Sequence, residues 1–257
     1  MTTGASEIAE FYGSPRGAVT ARLLRERLAV FWPNTKGESV LGIGYTQPFL
    51  DLWSDQAHRV IACMPDALMP HALMPHALMA DALMPETLGA AKWPASGPSR
   101  SCVTADEALP FPDMVFDRVL LLHGLESASN PGRLLRETWR ILKDDGRMVV
   151  VAPNRAGVWT HGEDSPFFLR QSFTSGQIDR LLAASLFRTE RRDSALWLPP
   201  TAMRFFLQSA PVLERTGRRL MPGAAGVTIT EAVKDVYAAL PLQPAPRRRL
   251  AALSRSA

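Results

Sequence analysis

The chain has 257 residues, 46% hydrophobic and 21% charged, the balance of an ordinary globule with a sizeable core. No apolar run approaches the ~18 residues a membrane span needs, and the N-terminus MTTGASEIAEFYG lacks the basic start and apolar stretch of a secretory signal. Two cysteines, Cys63 and Cys102, give no disulfide framework or metal site and fit a reducing cytoplasm, while the net charge of +4 is carried by the four arginines of 241–257 (Arg247, Arg248, Arg249, Arg255), which reads as a solvated tail and argues against nucleic-acid binding.

In chain order, residues 5–32 read as helical: IAEFY and VTARLLRERLAVFW set apolar groups at helical spacing, and Pro33-Asn34 stops the run. ESVLGIG and HRVIAC read as two strands. Residues 64–88 are five tandem variants of Met-Pro-x-Ala-Leu. A period of five matches neither helix nor strand, and proline breaks any continuous helix, so the repeat reads as an insertion in a surface loop. Its His71 and His76 fall on different faces of any helix, so no metal site is expected. SCVTA is a third strand and VFDRVLLL a fourth. Asn130-Pro131 opens a helix, GRLLRETWRILK, with Leu134, Leu135, Thr138, Ile141 and Leu142 as its buried stripe. DDG is expected to turn this helix into a fifth strand, RMVVVAP.

Short apolar strands alternating with helices predict an α/β fold with a doubly wound, mostly parallel sheet. Ligands bind such sheets beyond the C-terminal strand ends. That edge carries Gly42 to Gln47, the residues after Cys63, Asp106-Glu107, His123 to Glu126, and Pro153-Asn154.

The stretch DEALPFPDMVFDRVLLLHGLESASNPGRLLRETWRILKDDGRMVVVAPN resembles the middle of the class I S-adenosylmethionine-dependent methyltransferases of the type 11 group. The elements of the resemblance are Asp106, Leu109-Pro110-Phe111-Pro112-Asp113, Phe116-Asp117, His123, Asn130-Pro131, Arg140-Ile141-Leu142-Lys143 and Gly146. Downstream, SPFFLRQSFTSGQIDRLLAASLF resembles a later family segment, and GVTITEAVK a late strand. The resemblance covers residues 36–195. It implies a Rossmann-like fold, S-adenosylmethionine as cofactor and methyl transfer to a small or lipid-like acceptor.

The departures lie at the cofactor loop. The family pattern h-h-[DE]-h-G-x-G-x-G has Gly42 in place of the acid, Gly44 as its first glycine, and Thr46 and Pro48 in place of the others. The acid that holds the ribose in the family falls here at Cys63 or Met64. The resemblance assigns cofactor binding to Gly42, Gly44, Tyr45, Asp106 and Glu107, with Asp106 equally readable as a turn cap before Leu109. His123 is the candidate base, Asn154-Arg155 a candidate acceptor contact, and Arg16 or Arg22 candidate partners of the cofactor carboxylate. Phe11-Tyr12 is a candidate cover, and Trp159, His161 and Phe167-Phe168 a candidate lid. The degenerate loop favours a second reading, a non-catalytic methyltransferase-like binding module. The expected organisation is N-terminal helices in 1–35, a methyltransferase-like domain in 36–240 with a helical cap segment in 195–226, and the basic tail in 241–257.

Overall fold

The computed structural model describes residues 5–65, 68, 93–94, 98–105, 108–161, 165–167, 171–199 and 209–236. Most of the repeat, the tail, Asp106, Glu107 and Phe168 lie outside them. The N-terminal run is two helices, α1 (Ala5–Gly13) and α2 (Pro15–Phe31). Ser14 makes the break. Its extended backbone (φ −81°) and its hydroxyl, which accepts from the Gly17 N–H, cap α2, and Pro15 sits at the first helical position, where its missing N–H costs nothing.

Seven strands form one sheet: β1 (Ser39–Gly44), β2 (Arg59–Pro65), β3 (Ser101–Thr104), β4 (Phe116–Leu122), β5 (Leu142–Pro153), β6 (Phe187–Ala195) and β7 (Val227–Lys234), in the order β3-β2-β1-β4-β5-β7-β6. The first five are mutually parallel, and β7 runs antiparallel to both β5 and β6. The sheet is therefore mixed at one edge. The short helix α3 (Gln47–Leu50) follows β1, α4 (Pro131–Ile141) precedes β5, α5 (Ser175–Ala184) precedes β6, and α6 (Ala210–Leu220) precedes β7.

Side-chain alternation along the strands divides the core in two. Val40, Leu120, Leu122, Val149 and Val151 pack with α1, α2 and α3. Leu41, Ile43, Val119, Leu121, Met148 and Val150 pack with α4 and α5 on the other face. A strand covered on both faces must be apolar at every position, which is why VLGI and VLLL read as uninterrupted runs.

Two local expectations are corrected. Asp144-Asp145-Gly146 does not turn α4 into a strand, because β5 already begins at Leu142. Phe116 pairs with Leu142 and Arg118 with Arg147, so the exposed aspartates form an outward excursion inside the strand. β6, FRTERRDSA, has no run of apolar residues and escapes detection because it is an edge strand. Its exposed Arg188, Glu190, Arg191 and Arg192 guard that edge against pairing with another chain.

Candidate functional site

The C-terminal ends of β1 and β4 lie side by side, with Gly44 opposite Leu122. Gly44 has φ +101°, and a Cβ there would stand 2.1 Å from the Leu122 carbonyl oxygen and 2.7 Å from the Gly124 nitrogen. Only glycine allows both this backbone and this approach. Gly42 lies two residues back in the sheet interior, paired with Ala62 and Leu120. A Cβ there would meet Thr46 Oγ1 at 2.3 Å and Leu50 Cδ1 at 2.9 Å. The side chain of Thr46 thus occupies the space above Gly42. The absent acid at 42 and the absent glycine at 46 are two sides of one packing exchange.

β4 ends in a turn that His123 enters at φ +59°, a left-handed conformation uncommon for a residue with a side chain. Such strain persists only where surrounding contacts hold it. His123 is fully buried, its Nδ1 3.1 Å from Glu126 Oε1 and its Nε2 2.9 Å from the Tyr12 hydroxyl, 111 positions away on α1. One tautomer satisfies both bonds: the Tyr12 O–H donates to Nε2, and Nδ1–H donates to the Glu126 carboxylate. Burial pushes the Tyr12 phenol well above its ordinary pKa, with the Glu126 charge and Tyr45 adding to it. Tyr45 is also raised by burial.

Aromatic rings enclose this trio. Tyr12 stacks on Tyr45 at 5.6 Å with the planes 4° apart, and Phe167 lies 4.9 Å from the His123 ring. Trp159 meets Phe11 and Phe167 edge-on at 6.2 and 5.9 Å. Phe11-Tyr12 therefore folds over this edge, and Trp159 and Phe167 wall it. Their places in the sequence mark these residues as cover and lid candidates without showing that they meet. Glu126 was visible only as a neighbour of His123.

The other candidates make contacts within the protein or line its surface. Asn154 Nδ2 donates to the Gly223 and Ala225 carbonyls at 3.0 and 2.7 Å, and Arg155 Nη2 donates to the Ser172 carbonyl at 2.8 Å. Arg16 lies over the Phe11 ring at 5.3 Å, and Arg22 lines a shallow groove on α2 with Ala18, Arg25 and Leu52. Arg140 explains the dense middle motif. Its guanidinium donates to the Leu109 and Phe111 carbonyls, to Asp113 and to Glu137, pinning LPFPD to α4. The Arg140 hydrogen bond holds Glu137 below its ordinary pKa.

Residues 40–150 match the family described as "Methyltransferase domain", type 11. These residues are a class I methyltransferase domain. An uncharacterised Mycobacterium tuberculosis protein is 31% identical over 111 residues, 40% of this chain and 39% of that protein. A ubiquinone/menaquinone biosynthesis C-methyltransferase of Pasteurella multocida is 44% identical over 45 residues, 18% of this chain and 17% of the relative. The chain thus spans about two fifths of the length of the first curated relatives it matches. In fold, the methyltransferase domain and its flanks resemble the S-adenosylmethionine-dependent methyltransferase of Archaeoglobus fulgidus, with TM-score 0.53 and 14% identity over 83% of this chain and 94% of that one. The Mesorhizobium loti enzyme gives TM-score 0.51 and 12% identity over 81% and 96%.

The family implies S-adenosylmethionine, and the structure allows a test of fit. Three buried side-chain oxygens beside the ends of β1 and β4 have no hydrogen-bond partner: Thr46 Oγ1, Gln47 Oε1 and Glu126 Oε2. All can accept, and one belongs to a carboxylate, so they call for a donor or a cation. The cofactor's amino group is both. The β2 rim differs. Cys63 and Met64 are buried there, and Cys63 pairs in register with Cys102 on β3. The hydrogen bond to Cys102 and burial hold the Cys63 thiol high. Among the described residues no carboxylate replaces the ribose-binding acid. Asp106 and Glu107, assigned to the adenine side, lie outside the described residues. The β1–β4 side therefore fits the amino-acid end of the cofactor, and among the described residues the β2 rim offers Cys63 and Met64 where the family has its acid; Asp66, the nearest acid in sequence, lies outside the described residues.

Proposed function

We propose that the protein transfers a methyl group from S-adenosylmethionine to a small or lipid-like acceptor in the cytoplasm. The observation that carries this reading is the buried Tyr12–His123–Glu126 chain with its aromatic wall, set at the C-terminal strand edge where sheets of this kind bind ligands. Glu126, Thr46 and Gln47 take the cofactor's amino group, the Gly44 backbone allows its close approach, and Tyr45 covers it. Gly42 contributes by leaving room for Thr46. Asp106 and Glu107 hold the adenine side.

The cofactor supplies an electrophilic methyl on a sulfonium, and in-line displacement places the burden on positioning. An acceptor hydroxyl or an acidic carbon must also lose a proton. His123 Nε2 receives it from the position where the Tyr12 hydroxyl now sits, and Glu126 fixes the imidazole orientation from Nδ1. Access to Nε2 requires α1 to withdraw Tyr12. Phe11, Trp159 and Phe167 suit an apolar or aromatic acceptor. The quinone-biosynthesis relatives point to the same acceptor class.

Cys63 and Met64 at the family's ribose-acid position favour a non-catalytic binding module as the second reading. Incubation with methyl-labelled S-adenosylmethionine and a bacterial lipid extract separates the two. Label in the organic phase, lost in His123→Ala, supports the enzyme. No label despite measurable cofactor binding supports the module.

A further inference from the structure

We propose that the outer face of α6 docks this protein on an anionic lipid bilayer. The helix has a fixed inner side. Ala210 is buried, and the Glu214 carboxylate accepts from the Leu196 and Trp197 N–H groups at 3.3 and 2.6 Å. A Cβ on Gly217 would stand 2.4 Å from Trp197 Cβ, so the helix lies directly on that residue. Arg218 reaches Asp193 at 2.6 Å and lies over the Trp197 ring. The helix thus spends its one acid, Glu214, and one of its three arginines on its own attachment.

The outer side holds Val212, Arg215, Thr216, Arg219 and Leu220, a helical i, i+3, i+4, i+7, i+8 set, with Met221 at the end. Val212, Leu220 and Met221 are 62%, 74% and 58% exposed. Neither Arg215 nor Arg219 makes an ion pair among the described residues. The face therefore presents apolar groups and two free cations, and no acid. Charge complementarity selects an anionic partner, and the protruding apolar ridge selects a fluid one. Protein hot spots sit in pockets, whereas these side chains project outwards and suit the headgroup–acyl boundary.

Position supports the same reading. Ala195 at the end of β6 and Pro153 at the end of β5 both pair with Val227. Hence α6, anchored just after β6, stands at the sheet edge that carries His123. Leu198 connects them, since its carbonyl accepts from Trp159 Nε1 at 2.8 Å, and Trp159 walls the aromatic cluster. A bilayer under α6 would adjoin that wall.

The test is co-sedimentation of the full chain with phosphatidylcholine vesicles, with and without phosphatidylglycerol. Binding to the anionic vesicles only, weakened by salt, is expected. Each arginine near an anionic surface contributes about fivefold, so R215Q/R219Q should weaken binding about 30-fold with an unchanged melting temperature. L220S/M221S should also weaken it, even at low salt. R247Q/R248Q/R249Q should leave most of the binding in place. The proposal is overturned by no binding to anionic vesicles, by binding indifferent to both α6 variants, or by binding that the tail variant alone removes. Preference for soluble polyglutamate over the vesicles would also overturn it, since an acidic protein would then be the partner.

Discussion

Replacing Tyr12 with phenylalanine tests whether α1 is bonded to the site or merely packed near it. The substitution removes one oxygen and keeps the ring, which stacks on Tyr45 and meets Phe49 edge-on at 5.6 Å. What disappears is the 2.9 Å bond to His123 Nε2, inside a buried pair. A buried acceptor left without its donor costs ~1–3 kcal/mol. At ~2–4 °C per kcal/mol for a chain of this size, the melting temperature should fall by about 2–12 °C. Urea unfolding should show a lower midpoint with an unchanged slope. Tyr45→Phe is the control, because the Tyr45 hydroxyl has no hydrogen bond among the described residues, and it should cost under ~0.5 kcal/mol. A Tyr12→Phe protein as stable as the wild type, or a Tyr45→Phe protein equally destabilised, would refute the relay geometry.

The remaining predictions concern charge, packing and the motif. Above pH ~10 the unfolded Tyr12 gives up its proton while the folded phenol, with its raised pKa, keeps it, so stability should fall by about 1.4 kcal/mol per unit from this group; Tyr12→Phe should remove that share of the alkaline slope in pH-dependent urea titrations. Gly42→Asp alone should destabilise the fold, because Thr46 fills the space, whereas Gly42→Asp with Thr46→Gly should recover part of that stability in urea unfolding. Arg140→Gln should cost about 2 kcal/mol in urea unfolding, since the LPFPD loop loses its charged donors to Leu109 and Phe111.

The sequence was most readable where local pattern and tertiary structure agree. β1 and β4 are covered on both faces, so their apolar runs declare them, and α4 carries its cap and stripe in Asn130-Pro131 and Leu134-Leu135. Where the deciding contact is long-range, the pattern says nothing. Tyr12 meets His123 across 111 positions, and no periodicity reports that. β6 is charged because it lies at an edge, and Asp144-Asp145 looks like a turn because it bulges out of a strand. The exchange between Gly42 and Thr46 shows in the sequence as two departures four residues apart in one loop; taken singly, each resembles a loss of function.

The central claim is that the altered loop still holds the cofactor through Glu126 and its neighbours. Isothermal titration with S-adenosylmethionine and S-adenosylhomocysteine tests it most directly. The account predicts saturable binding, weakened about tenfold or more in Glu126→Gln, as expected for a charge-assisted bond worth ~1.5–3 kcal/mol. Absence of heat with either ligand up to about 1 mM, a binding energy of only ~4 kcal/mol, or affinity indifferent to Glu126→Gln, would contradict it.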